Sequence, residues 1–169
     1  KVFLDGYWLG KTEVTFEQYD RFCAETKREQ AADEGWGRGA RPVIYVSWRA
    51  ARDFCAWLAK KTGLPFRLPS EAEWEKAARD RYPWGGAPPD SSLANFNKDN
   101  MMTRPVGSYP KGASPFGILD MAGNVWEWTG DWYDPGFYRD SPREAPQGPE
   151  TGSERVVRGG SWANGAELV

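Results

Sequence analysis

Apolar positions follow a helical period as far as Arg79 and lose it beyond, which predicts helices in the first half and loops in the second. Val2 to Val14 alternates, with Phe3, Tyr7 and Trp8 interrupted by Gly6 and Gly10, and predicts short strands or a hairpin. Thr15 and Gln18 then form a capping-box pattern, after which Phe16, Tyr19, Phe22 and Cys23 recur at helical spacing. Residues 27 to 41 read as a loop in which Gly35-Trp36-Gly37-Arg38-Gly39 holds one pinned aromatic. A brief apolar run from Pro42 to Val46 leads to Ser47, an N-cap for a helix bearing Ala51, Phe54, Cys55 and Leu58 on one face. Gly63, after Lys60-Lys61, is its stop signal. Ser70 and Glu73 make a second capping box, opening a third helix whose inward stripe is Trp74, Ala77 and Ala78.

From Tyr82-Pro83-Trp84-Gly85-Gly86 to Pro110 the chain is turn residues and isolated aromatics. So much irregular backbone in a packed domain favours bound metal ions that fix it. Asn95 and Asp99 are candidate ligands there, with ordinary turn chemistry as the alternative. Asp131 to Glu154 reads as a long loop carrying Trp132, Tyr133, Phe137 and Tyr138, which suits either a recognition surface or an aromatic lid over a sheet. Arg155 to Arg158 predicts a strand leading into Gly159-Gly160-Ser161-Trp162.

The stretch Gly117 to Trp128 combines a carboxylate pair, a glycine turn and two tryptophans. Asp120 and Glu127 flank Gly123-Asn124, a dipeptide that favours positive φ, so two carboxylates and several carbonyls can face one small volume. Oxygen-only ligands of this kind suit calcium. The alternative is a purely structural turn: Trp126 and Trp128 in the core, Asp120 as a cap and Glu127 in solvent.

Composition narrows the chemistry. With 22 basic and 24 acidic residues among 169 the net charge is −2, which gives no bulk attraction to nucleic acid or an anionic membrane. No apolar window is long enough for a membrane span and the first residues do not read as a signal peptide, so direct membrane insertion is not expected. The absence of histidine excludes Ser-His-Asp and Cys-His catalysis, histidine zinc sites and facial-triad iron within this chain. The two cysteines, Cys23 and Cys55, are too few for a zinc ribbon or a disulfide scaffold and are expected to be buried thiols. Nineteen glycines and thirteen prolines beside ten tryptophans indicate irregular backbone held by large aromatic anchors.

Five segments in order, Thr12-Glu13-Val14-Thr15, Arg67 to Glu75, Tyr82-Pro83-Trp84-Gly85, Met121 to Trp128 and Arg158 to Trp162, resemble the formylglycine-generating-enzyme, or sulfatase-modifying factor, domain. The resemblance implies an α+β, C-type lectin-like fold over a single domain spanning 1–169: a few helices, a small antiparallel sheet and extensive loops. It implies that the family pattern runs on past Val169. It also implies two structural calcium sites. Asp120, Glu127 and the carbonyls of Gly123 and Val125 match one, where Asp120 replaces an asparagine also seen and adds charge that favours the cation. Asn95, Asp99 and the carbonyls of Phe96 and Met101 match the other.

In oxidase members of that family two cysteines after the Gly-Gly-Ser-aromatic motif bind copper, a soft ion that needs thiolates. Those positions correspond here to Asn164 and Val169, with Ser161 alone retained, so no copper is expected. Beside a plain sensor or interaction domain attached to a larger protein, two functional readings follow. One is a non-catalytic ligand-binding protein, similar to the variable proteins of diversity-generating retroelements, that recognises a protein or other macromolecule through Ser161, Trp162, Asn164 and Glu167 together with Trp132 and Tyr133. Asn164 is a residue that adenine-directed mutagenesis produces. The other is an oxidative enzyme of the formylglycine-generating type.

Overall fold

The computed structural model describes residues 2–169. Its first half holds the three helices that the period predicts: α1 (Phe16–Thr26), α2 (Trp48–Thr62) and α3 (Glu71–Ala78). Each starts where a hydroxyl satisfies first-turn N–H groups that have no intrahelical partner. Thr15 Oγ1 accepts from Gln18 N at 3.3 Å while Gln18 Oε1 accepts from Thr15 N at 3.0 Å. Ser70 and Glu73 repeat the exchange at 3.2 and 2.8 Å, and Ser47 Oγ caps α2 through Ala50 N. Gly63 closes α2 at φ 73°, in the left-handed region open to a residue without Cβ.

Phe16, Tyr19, Phe22 and Cys23 of α1 are buried. Tyr19, Phe22 and Phe54 pack as an aromatic trio with ring centroids 5.3, 5.9 and 5.7 Å apart. α2 contributes only Phe54 as a fully buried residue, and Ala51, Cys55 and Leu58 are half-buried. Cys55 is therefore not the core thiol that helical spacing suggests; the edge of α2 beside it, Arg52 and Ala56, faces solvent. A second cluster joins Trp74, Ala77 and Ala78 of α3 to Met121, and a third joins Ala94 and Phe96 to Ala122. Neighbouring residues of the Gly117–Trp128 stretch thus enter two different clusters, which makes that stretch the seam of the second half.

β1 (Glu127–Trp132) and β2 (Arg155–Arg158) form a two-stranded antiparallel sheet, with Glu127 opposite Arg158 and Trp132 opposite Arg155. The register shifts between Trp128 and Trp132. α3 packs against both strands.

Two expectations change here. Val2 to Val14 forms neither strands nor a hairpin: Phe3 makes an isolated bridge with Glu144, and the rest is irregular backbone, held to α3 at Leu4, Tyr7 and Leu9 and to other segments at Lys11 and Val14. Tyr7 Oη donates to Glu73 O at 2.7 Å, and Lys76 Nζ to Leu4 O at 3.3 Å. An alternating segment becomes a strand only where another backbone edge receives it, and side-chain contacts to α3 take that place. The stretch beginning at Asp131 starts inside β1 and includes α4 (Phe137–Asp140). Gly130 broke the alternation that would have marked the strand. Among the described residues no helix is long and apolar enough to cross a membrane.

Candidate functional site

The turn at Gly123-Asn124 has positive φ at both residues, 79° and 61°, and Asp120 shares that conformation at 61°. Gly123 N donates to Gly159 O at 2.7 Å and Asn124 N to Asn95 O at 2.8 Å, so the turn is clamped between two remote segments. The Asn124 side chain, 2 % exposed, is the hub. Its Nδ2 donates to Glu13 Oε2 at 2.8 Å and to Arg104 O at 3.2 Å, and its Oδ1 accepts from Arg104 N at 2.8 Å and Asn95 Nδ2 at 3.2 Å.

Three carboxylates gather at this turn. Asp120 Oδ2 accepts from Gly107 N at 2.5 Å, Glu127 Oε2 from Trp74 Nε1 at 2.8 Å, and Glu13 Oε1 from Val125 N at 3.2 Å. Burial pushes the Glu127 carboxyl up to about 7; the Trp74 N–H opposes that rise and Asp120 adds to it. Glu13 is held well above the usual carboxylate range by burial first, then by repulsion from Asp120 and Glu127. Burial raises Asp120 too. Among the described residues no three acidic, cysteine or histidine side chains make a metal cage by themselves. Backbone oxygens would complete the set, and no described backbone N–H donates to the carbonyls of Gly123 or Val125. Carboxylate and carbonyl oxygens are the donors a hard cation takes, so the donor chemistry of Asp120, Glu127 and the Gly123 and Val125 carbonyls suits calcium. Glu13 is the member of this cluster that was not expected among the site residues, although it stands in the Thr12-Glu13-Val14-Thr15 segment of the family resemblance.

Asn95, Phe96, Asp99 and Met101 are arranged differently. Asn95 is 1 % exposed, and its Oδ1 accepts from Asn100 Nδ2 at 2.9 Å. Asp99 is exposed, as is Met101, and Phe96 O already accepts from Asp99 N at 3.1 Å. The amide of Asn95 is thus buried while Asp99 and Met101 face solvent.

The six residues expected to form a binding surface fall into two groups. The 161–164 segment leaves β2 at the Glu127 end of the sheet, and Trp162 N donates to Asn124 O at 3.0 Å. The half-buried Trp162 ring meets Trp36 edge to face at 5.4 Å, which joins the 27–41 loop to this segment. Ser161 Oγ donates to Asn164 Oδ1 at 2.6 Å, Asn164 O accepts from Asn97 N, and Glu167 is exposed beside them. Val169 packs on the Ala94–Phe96–Ala122 cluster.

Trp132 and Tyr133 lie at the opposite end of β1, roughly 17 Å away at the usual strand rise. There the Arg155 guanidinium lies between two indoles, 3.4 Å from the Trp132 centroid and 3.6 Å from that of Trp48. Tyr133 is half exposed. Asp131, only 2 % exposed, accepts at Oδ2 from Glu71 N at 3.1 Å at the start of α3. Burial raises its carboxyl to about 6, against that hydrogen bond and Arg155, with Glu71 and Glu73 adding repulsion. Because the folded value lies above the unfolded one, the stability from this group is complete below about pH 4 and is lost as pH rises through about 6. Asp131→Asn keeps an acceptor for Glu71 N, and it should be more stable than the parent by about 2 kcal/mol at pH 8, with the advantage vanishing near pH 4. Thermal melts of both proteins from pH 4 to 8 check this; a constant difference would contradict it.

Comparison with known proteins adds to this geometry. Residues 1–169 match the sulfatase-modifying factor enzyme 1-like domain. The chain belongs to the sulfatase-modifying factor family. It is 38% identical over 189 residues to the serine/threonine-protein kinase pkn1 of Chlamydia caviae, which takes in 96% of this chain and 29% of that protein. It is 40% identical over 155 residues to the formylglycine-generating enzyme of Streptomyces coelicolor, covering 79% of this chain and 46% of the enzyme. The chain thus spans less than half the length of either relative. Among solved structures it is similar to Treponema denticola variable protein 1, with a TM-score of 0.82 and 29% identity over 99% of this chain and 77% of that one. This sulfatase-modifying factor domain therefore has the α+β, C-type lectin-like fold.

Proposed function

We propose that this sulfatase-modifying factor domain is a non-catalytic ligand-binding module of the retroelement variable-protein kind, with its recognition surface on the segment that follows Gly160. The observation that carries this is the Ser161–Asn164 pair: a hydroxyl and an amide bond each other at 2.6 Å where oxidase members place a copper thiolate. Oxygen and amide donors do not hold Cu(I), and Val169 offers no donor at all. Similarity to the Treponema variable protein over nearly the whole chain supports the same reading. The ligand is a protein or other macromolecule, and the near-neutral charge argues against nucleic acid.

A second reading, an oxidative enzyme, rests on the identity to the Streptomyces formylglycine-generating enzyme. The two are separated by incubating the purified chain with Cu(I), oxygen and a cysteine-containing sulfatase peptide. The binding module gives no copper-dependent aldehyde; a copper-dependent formylglycine product overturns it.

Asp120, Glu127 and the carbonyls of Gly123 and Val125 hold a structural calcium in this proposal. The ion supplies positive charge to a turn crowded with carboxylates and has no part in chemistry. Calcium at about a hundred times its Kd adds roughly 2.7 kcal/mol, a rise in Tm of about 5–10 °C that EDTA should reverse. An identical melt with calcium and with EDTA would remove calcium from the account.

A further inference from the structure

A cleft of about 280 Å³ lies between α2, the Phe66–Leu68 segment and the Asp131 end of β1. Its polar groups are unevenly matched. Asp131 lines the cleft and spends Oδ2 on Glu71 N, while Oδ1 receives no hydrogen bond from the described residues. Arg155, the cation beside it, is locked between Trp48 and Trp132 and donates Nη1 to Gly130 O at 2.6 Å. Arg67 is tied to Glu73 by two bonds of 2.7 Å. Arg52 is different: it lies 5.5 Å from the Trp48 centroid and makes one 3.2 Å contact with Asp53, which also pairs with Arg28. Most of its five N–H donors are left for a ligand. Ala56, Phe66 and Leu68 line the apolar part of the wall.

A carboxylate with a spare oxygen and an underused guanidinium on one small cleft favour a ligand that carries both charges over a simple ion. A bare cation meets Arg52 and Arg155, and a bare anion meets Asp131. A molecule carrying both charges satisfies both groups, and the volume admits only a small one. We infer that this cleft binds a free α-amino acid with an apolar side chain, its ammonium on Asp131, its carboxylate on Arg52 and its side chain against Ala56, Phe66 and Leu68. The site stands at the end of β1 remote from Trp162, so it is independent of the recognition surface proposed above.

Isothermal titration of the whole chain with L-leucine, L-methionine and L-phenylalanine tests this, with N-acetyl-L-leucine and L-leucine amide as blocked probes. At least one free amino acid should bind, and each blocked probe should bind about tenfold more weakly or worse than L-leucine. Asp131→Asn and Arg52→Ala should each lose about tenfold or more in affinity while melting cooperatively, Arg52 being a surface residue and Asp131→Asn keeping its bond to α3. Absence of heat with every free amino acid up to about 10 mM, a concentration that reveals millimolar affinity, overturns the inference. Equal binding of the blocked probes, or undiminished binding by the folded variants, overturns it as well.

Discussion

Asn124→Ala should destabilise the protein by about 4 kcal/mol, a large part of the stability of an ordinary domain. The substitution removes four side-chain hydrogen bonds at one buried point. More costly than the lost bonds is what stays behind. The Glu13 carboxylate loses one of its two donors, and the Arg104 N–H and the Asn95 amide each lose an acceptor, with Glu13 and Asn95 both buried. Each unsatisfied buried group costs roughly 1–3 kcal/mol. Asn124 also holds φ 61°, which alanine tolerates poorly. Asn124→Gly separates the two causes: relieving the backbone should recover only about 1 kcal/mol, because glycine restores no hydrogen bond. Chemical denaturation of the three proteins reads this directly. A loss under about 1 kcal/mol for Asn124→Ala would mean that the hub is not one.

The second large effect is at the preceding residue. Gly123 sits at φ 79°, and a Cβ there would collide with the Asn95 carbonyl oxygen and stand 2.9 Å from its carbonyl carbon. Both obstacles are backbone, which cannot rotate away. Gly123→Ala therefore has to separate the turn from the Asn95 segment, breaking the Asn124 N to Asn95 O bond with it, at a cost of about 3 kcal/mol or more. The same change at Gly63 also has positive φ but meets nothing within 4 Å, and should cost only about 1 kcal/mol. A comparable loss at both glycines would contradict the collision argument.

These two positions show what the sequence makes legible. Caps and inward stripes of α1, α2 and α3 are local, and Thr15, Ser47, Ser70 and Gly63 act as their types predict. The Gly123-Asn124 turn was legible for the same reason. The partners of Asn124 were not, because Glu13 and Arg104 lie 111 and 20 residues away in sequence. Tertiary contact also decided Trp126 and Trp128: the second is held by Val46 O at 2.9 Å, whereas the first is 41% exposed. The expected recognition residues were grouped by type, yet β-sheet register sends Trp132 and Trp162 to opposite ends of β1. Nor does spacing reveal that Asn95 turns its oxygen toward Asn100 rather than toward Asp99.

Family membership and fold rest on the whole chain, whereas the proposed function rests on the few residues after Gly160. Sequencing that gene segment across many independent isolates is the most direct test of the proposed role. The account predicts substitutions concentrated in the codons after Trp162 and traceable to template adenines, beside a nearly constant region encoding residues 1–160. An invariant segment carrying a cysteine pair, in a protein that forms formylglycine with copper, would contradict it.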